Sequence, residues 1–461
     1  MNTHRQYDVL VAGGGPAGVP AAVAAARNGA RVLLVERWGF LGGMATAGMV
    51  VPIHTFHNMK GEQIVGGIPH EIIKRLETIG GAFPGGHLWS TYQSSYTHTP
   101  FDVEAMKQVL LEMVDEAGVE LLLHTFLLGA CKENGTVTGV EVANKSGRYD
   151  LSARVVVDAT GDGDIAASAG VSFIKGGEGE KCMAGSLMFR IGNVDAEAVL
   201  RYVTENPDEF VMAEDPFVGM TNRELAARIR GIPDIHMVRG WFDVVRKAQN
   251  DGDFPLSRNQ IIFTFSPRTT EVYVNCTNVV HVDGSDVYQT TKAEVETRKQ
   301  VPKVAAFFRK YMPGFENSYV IDTACQIGTR ESRRIIGEYT LTGDEVLSGT
   351  RFEDGIAKGA YPSDIHGPDG GLVHRHIKDG RDYDIPYRCL VPRDVDGLLV
   401  AGRCISTDRI ALGSVRVMAQ CMATGEAAGT AASMAASQGC QPRALKASVL
   451  RKALSDQGAI I

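Results

Sequence analysis

YDVLVAGGGPAGVPAAVAAARNGARVLLVE (residues 7–36) is the stretch on which the fold turns. An apolar run, Tyr7 to Ala12, meets a glycine-rich turn, then an alanine-rich segment to about Asn28, then a second apolar run, Arg31 to Val35. The order is strand, turn, helix, strand, and continuous apolar strands suit a parallel sheet covered on both faces. Gly13-Gly14-Gly15-Pro16-Ala17-Gly18 fits G-x-G-x-x-G where the strand gives way to the helix. The first glycine permits the tight turn, the second lets backbone approach a pyrophosphate, and the third lets helix and strand pack closely. The helix terminus beyond them offers free N–H groups and about half a positive charge, a ready anion site. Pro16 suits a first helical position. Pro20, whose missing N–H would have bonded the Pro16 carbonyl, predicts a local distortion. Glu36, 23 residues after Gly13, is placed to accept hydrogen bonds from ribose hydroxyls and would repel a 2′-phosphate. A structural glycine turn is the plainer reading of the glycines alone. With strand, helix and acidic residue in register, the stretch reads as a dinucleotide site.

Around this unit the chain is an ordinary globular one. Its 461 residues carry 47 Lys and Arg against 54 Asp and Glu, a net charge of −7, with no long run of either sign. That balance argues against nucleic acid and anionic lipid as partners. Eight cysteines are scattered with no C-x-x-C, the closest pair being 15 residues apart, which points away from zinc and disulfides and toward a cytoplasmic protein. Met1 to Tyr7 is short and polar for a signal peptide. No stretch supplies the roughly 18 uninterrupted apolar residues of a membrane span; Met422 to Ala436 comes nearest and carries Glu426.

Downstream, Phe101 to Ala117 has helical spacing, and Val119 to Val157 reads as a run of strands ending in Asp158-Ala159-Thr160-Gly161-Asp162. Residues 171–384 read as mixed α+β, with a strand at 269–280 and a helix over 293–312. Gly397 to Ala401 is another buried strand, and Ser414 to Ser437 a long Ala/Gly/Met helix. The expected architecture is α/β: a Rossmann-like nucleotide domain with a parallel sheet, formed by 1–170 and 385–461, with an α+β substrate domain of 171–384 inserted between them.

After Glu36 the chain does not continue as further βα units but runs into Leu41-Gly42-Gly43-Met44-Ala45-Thr46. With that block, and with DATGDGD (158–164), RESRRIIGEY (330–339), YPSDIH (361–366), IPYRCLVP (385–392) and AGRCISTDRIALGSVRVMAQCMATGEAAGTAA (401–432), the chain resembles the FAD-dependent oxidoreductases with a two-domain, fumarate-reductase-like or glutathione-reductase-like flavin fold. The resemblance implies that Gly13, Gly15, Gly18 and Glu36, with Pro16, Ala17 and Arg37 beside them, hold the ADP half of FAD. Ala159, Thr160 and Gly161 lie alongside. Gly43, Met44, Ala45, Thr46, Gly402, Arg403, Gly413, Ser414, Val415 and Arg416 reach the ribityl chain and the ring. Independently, N–H groups at the start of a helix after Leu412 could face the flavin's pyrimidine edge, where the reduced ring gathers negative charge; a Ser-capped helix start explains the same residues. The relatives that bind flavin covalently have a His shortly before the Gly-Gly pair. Arg37 to Leu41 holds no His or Cys, so FAD is expected to be non-covalent.

The flavin needs a proton donor or acceptor and a substrate anchor from the protein. Candidates are His366 in YPSDIH, His54 and His57 in VVPIHTFH, Tyr387 and Arg388 at the return to the nucleotide domain, and Arg330 in the Arg330-Arg333-Arg334 group. Arg suits a bidentate grip on a carboxylate, while Arg333 and Arg334 read as an ion network with Glu331 and Glu338. His374-Arg375-His376 lacks a third ligand and reads as a solvated loop, with no metal. The leading function is hydride transfer between a small polar metabolite and flavin N5. A non-redox flavoenzyme (hydratase or isomerase) and an FAD-containing RNA-modifying or RNA-binding protein are the rivals; the latter lacks a basic face. No dithiol motif and no second G-x-G-x-x-G are evident, so the electron acceptor is unassigned, and a homo-oligomer is compatible with the chain.

Overall fold

The computed structural model describes residues 6–88, 97–177, 179, 181–210, 224, 227, 236–254, 256–268, 270–366 and 372–461. The opening unit is strand β1 (Gln6–Ala12), helix α1 (Gly18–Arg27) and strand β2 (Val32–Val35), with β1 and β2 parallel and paired from Val9↔Val32 to Ala12↔Val35. Helices α2 (Gly67–Thr78) and α3 (Val103–Glu116) follow, then β3 (Glu120–Leu122), β4 (Phe126–Glu133), β5 (Thr136–Asn144) and β6 (Gly147–Asp158). The sheet order is β3-β2-β1-β6-β5-β4. From β3 to β6 it is parallel; β5 and β4 are antiparallel additions.

A second, five-stranded sheet is built from β7 (Phe189–Gly192), β8 (Met237–Gly240), β9 (Ile261–Phe265), β10 (Val272–Val274) and β11 (Tyr319–Thr323), in the order β11-β7-β10-β9-β8. Helix α4 (Val287–Tyr311) runs between β10 and β11. A hairpin, β12 (Ser363–His366) and β13 (Leu372–Arg375), comes next. The chain then re-enters the first sheet as β14 (Leu398–Val400), parallel to the last residues of β6, and ends with α5 (Arg409–Val415) and α6 (Met418–Gln438) before a final short helix. No helix among the described residues is long and apolar enough to cross a membrane.

Helix α6 is buried on nearly every side, and its small residues decide how it packs. An added Cβ at Gly425 would lie 2.0 Å from the Ala17 carbonyl oxygen, and one at Gly429 equally close to that of Ala21. Helices α1 and α6 therefore meet backbone to backbone, which fixes the end of α1 that faces the glycine turn.

Two local expectations are corrected. Helix α1 begins at Gly18, so Pro16 lies in the turn and Pro20 in the first helical turn, where an N–H has no intrahelical partner to lose. The bonds flanking Pro20, Val19 N–H to Gly15 O (3.1 Å) and Ala21 N–H to Ala17 O (3.0 Å), are regular, and no distortion arises. The helix expected from Ser414 is instead two: α5 ends at Val415, Arg416 caps it, and α6 starts at Met418.

The structure makes two stability predictions. Gly429→Ala, which would stabilise an exposed helix, should here lower stability by about 1–3 kcal/mol because the methyl collides with fixed backbone; thermal unfolding measures it. Glu426, 2% exposed, accepts the Ile68 N–H at the start of α2 and is pushed up to about 7 by burial. Its folded form holds a proton that the unfolded chain releases, so stability is present at low pH and is lost as pH rises through 7. Glu426→Gln keeps an acceptor without the ionisation, and its stability advantage should widen by roughly 3 kcal/mol between about pH 5 and about pH 8.

Candidate functional site

The carboxyl ends of β1, β2, β6 and β14 open into one cavity of about 500 Å3. The last carbonyls of β2, β1 and β6 each accept a hydrogen bond from the loop beyond the neighbouring strand. Gly13 N–H donates to Val35 O (2.8 Å), Ala159 N–H to Ala12 O (2.9 Å) and Ala401 N–H to Asp158 O (3.0 Å). In such a sheet, ligands bind outside the carboxyl ends.

Gly13 turns with φ +97°, and a Cβ there would lie 2.8 Å from the Ala159 carbonyl oxygen. The Gly42 N–H donates to Gly14 O at 2.8 Å and draws a second glycine turn across the first. At Gly15 an added Cβ would meet nothing closer than Gly43 Cα at 3.9 Å. Two bare backbones thus face one another across an open slot. Glu36 Oε2 accepts the Gly14 N–H (2.7 Å) and Oε1 the Trp38 N–H (2.9 Å), leaving a further acceptor site on each oxygen for hydroxyl groups. Burial pushes Asp158 up to about 6 against the hydrogen bonds its carboxylate accepts from Ala166 N–H (2.8 Å), Thr160 Oγ1 (2.7 Å) and Thr160 N–H (3.1 Å). These bonds shape the turn from Ala159 to Asp162. Arg403 ties that turn to the loop after β14, through Nε to Gly161 O (2.7 Å) and Nη2 to Asp162 Oδ1 (2.7 Å).

FAD fits these residues. The slot between the glycine turns admits a pyrophosphate against backbone, Glu36 suits a ribose, and the cavity continues past Ala401 to Arg416. The buried Nε atoms of Trp38 (Nε1) and Arg416 have no acceptor among the described residues, so both walls carry donors that a heterocycle or phosphate would satisfy.

Of the residues expected at the cofactor, Gly13, Gly15, Pro16, Ala17, Glu36, Arg37, Gly43, Met44, Ala159, Thr160, Gly161, Gly402, Arg403 and Arg416 line the cavity. Gly18 sits behind it, against the Gly13 carbonyl. Ala45 and Thr46 are buried in the second glycine turn, Thr46 Oγ1 donating to Leu41 O (2.6 Å). Gly413, Ser414 and Val415 lie inside α5, with the Ser414 hydroxyl spent on the Tyr361 carbonyl and on Tyr383 (2.6 Å); the helix start that opens on the cavity is Val417 and Met418.

Of the expected catalytic residues, His54 and Arg330 line the cavity. Burial holds His54 down at about 4, with Asp364 pulling it up and Arg416 pushing it down, and its ring centroid is 5.4 Å from that of Tyr361. Arg330 Nη1 donates to Ala184 O (2.6 Å) and to Ser186 Oγ (3.1 Å). The others are elsewhere. His57 faces Thr97 (3.0 Å) within a cluster with His87. Tyr387 is buried and donates to Pro442 O (2.9 Å); Arg388 pairs with Asp354 (3.0 Å) at the surface. His366 is in β12, but its side chain lies outside the described residues. Arg333 and Arg334 pair with Asp164 (2.8 Å) and Glu331 (2.5 Å) as a structural network.

The structure adds residues. His374 is not in a solvated loop: it belongs to β13, and its Nε2 is 3.2 Å from Asp364 Oδ1. Asp364 and Tyr361 line the cavity, and so does one face of β9, where Gln260, Ile262 and Thr264 alternate. That two-residue period in QIIFTF was the available signal.

The family model described as FAD dependent oxidoreductase matches residues 8–454. Digeranylgeranylglycerophospholipid reductase 1 of Methanopyrus kandleri is 28% identical over 156 residues, 34% of this chain and 40% of that protein. The digeranylgeranylglycerophospholipid reductase of Thermoplasma volcanium is 26% identical over 205 residues, 41% of this chain and 48% of that protein. The chain thus spans less than half the length of these curated relatives. Among solved structures, a geranylgeranyl bacteriochlorophyll reductase-like protein from Thermoplasma acidophilum superposes with a TM-score of 0.50 at 14% identity, over 98% of this chain and 84% of that one, a likeness of fold.

Gly15→Val tests the slot. The side chain has room, so stability without cofactor should stay within about 1 kcal/mol of wild type, while FAD retention, read from absorbance after gel filtration, should be lost.

Proposed function

Because the chain belongs to the FAD dependent oxidoreductase family, we propose that it moves a hydride between FAD and a small polar substrate, with His54 handling the proton. One observation carries this reading: His54, Tyr361, Arg330 and Arg416 line the same cavity as the glycine cradle and Glu36. FAD, bound along the carboxyl ends of the parallel strands, supplies the two-electron chemistry. The protein supplies position, dryness and proton traffic.

His54 is neutral throughout the physiological range, because burial holds its imidazole down at about 4. A neutral ring can take a proton from a substrate hydroxyl or amine as the C–H is oxidised, or return it in the reverse direction. Its loop is fastened to α6 by the Ala419 N–H, which donates to the His54 carbonyl at 3.3 Å. Arg330, steadied by Ala184 O and Ser186 Oγ, presents a guanidinium suited to a carboxylate on the substrate. Met237 and Ile262 from the second sheet, and Met188 just before it, line the same space with apolar surface that disfavours water. The relatives' names, reductases both, agree with redox chemistry.

Anaerobic mixing of the yellow protein with hydroxy acids, sugars, amines and enoates tests this. One class should bleach the flavin stoichiometrically; turnover of a substrate with the flavin still oxidised would instead favour hydratase or isomerase chemistry. For the bleaching substrate, kcat/KM should rise with pH through about 4, as His54 loses its proton, and then stay level toward neutrality. His54→Asn should slow bleaching by about a hundredfold or more and remove that limb.

A further inference from the structure

Asp364 is not among the residues that either the motif or the glycine cradle singles out, yet it stands at a junction of the cavity wall. It is 7% exposed. Its Oδ2 and its backbone carbonyl both accept from Arg416 Nη2, each at 3.1 Å. Its Oδ1 lies 3.2 Å from His374 Nε2. The strand that carries it is clamped to α5: Ser363 Oγ donates to Ile410 O at 2.6 Å, and Ser414 Oγ to Tyr361 O. A Cβ at Gly413 would sit 2.9 Å from the Asp364 nitrogen, so helix and strand touch through backbone. Arg416 occupies the break between α5 and α6. Its own N–H closes the last turn of α5 on Leu412 O (3.2 Å), Val417 beyond it is extended, and its guanidinium is gripped by Asp364 from the neighbouring strand.

We propose that Asp364 is a positioning residue: with His374 behind it, it holds the Arg416 guanidinium in the cavity wall, where its positive charge favours the reduced flavin. The inference rests on the reading of this cavity as the FAD site. Two roles for Asp364 make opposite predictions. A carboxylate that merely neutralises Arg416 would, on removal, leave the site more positive and make the flavin easier to reduce. A carboxylate that positions Arg416 would, on removal, release the guanidinium, and the flavin would become harder to reduce, as it would if Arg416 itself were lost.

The test is the two-electron midpoint potential of the bound FAD, measured by dye-coupled anaerobic reduction of the holoenzyme. Arg416→Gln and Asp364→Asn should both shift it to more negative values. The double variant should fall no further than the larger single shift, since the two residues act as one unit. A shift to more positive values in Asp364→Asn, or an unchanged potential, overturns the proposal. Should Asp364→Asn not retain FAD, Asp364→Glu, whose carboxylate is displaced by one methylene, should move the potential in the same negative direction by less, and an unmoved potential again overturns it. Wild-type protein that takes up no FAD would overturn the underlying reading of the cavity rather than the role of Asp364 within it.

Discussion

Four parallel strands that stop at one level are the constraint on which the rest depends. Because β1, β2, β6 and β14 end together, and the last carbonyls of β1, β2 and β6 each accept from the loop beyond a neighbouring strand, Gly13, Glu36, Ala159 and Ala401 are delivered to a common rim. A Cβ at Gly13 would strike the Ala159 carbonyl oxygen and one at Gly43 the Gly15 Cα, each at 2.8 Å, and the Gly42 to Gly14 hydrogen bond holds the two turns in opposition. The slot between the two turns is therefore a property of backbone placement. Side chains refine it at its margins, Glu36 at one end and Arg403 at the seam between the loops.

Charge in the cavity is handled in pairs. Arg403 is matched by Asp162, and Arg416 by Asp364. Between them His54 stays uncharged because burial outweighs the nearby carboxylate. A buried cation released from its partner is costly, so these pairs keep guanidinium groups beside the ligand without leaving them loose. The second sheet closes the remaining side, where Gln260, Ile262 and Thr264 give the wall both hydrogen-bonding and apolar groups.

What the sequence made legible was whatever obeys local rules. The β1–α1–β2 unit, the glycine turn and Glu36 are determined by neighbours within 30 residues or so, and the structure has them where the pattern put them. Closeness in sequence to the second glycine turn singled out His54 and His57 alike, and only His54 lines the cavity. Tyr387 and Arg388 show the limit: proximity to a returning strand says nothing of direction, and the Tyr387 hydroxyl is drawn to Pro442 instead. The break between α5 and α6 was hidden because Ser-Val-Arg-Val-Met is tolerable helix, and nothing local marks Val417 as the residue that turns extended. His374 was illegible for the same reason, since its partner belongs to the other strand of a hairpin.

The backbone contact of α1 with α6, through Gly425 and Gly429, has a consequence for how the protein is made. The turn that leads into α1 emerges from the ribosome long before the strand that completes the rim beside β6 and the helix that fixes α1. Until then the nascent chain holds only half a binding site, with a row of apolar helix surface uncovered. The rim of the cavity is thus complete only once segments far apart in the chain have both been made.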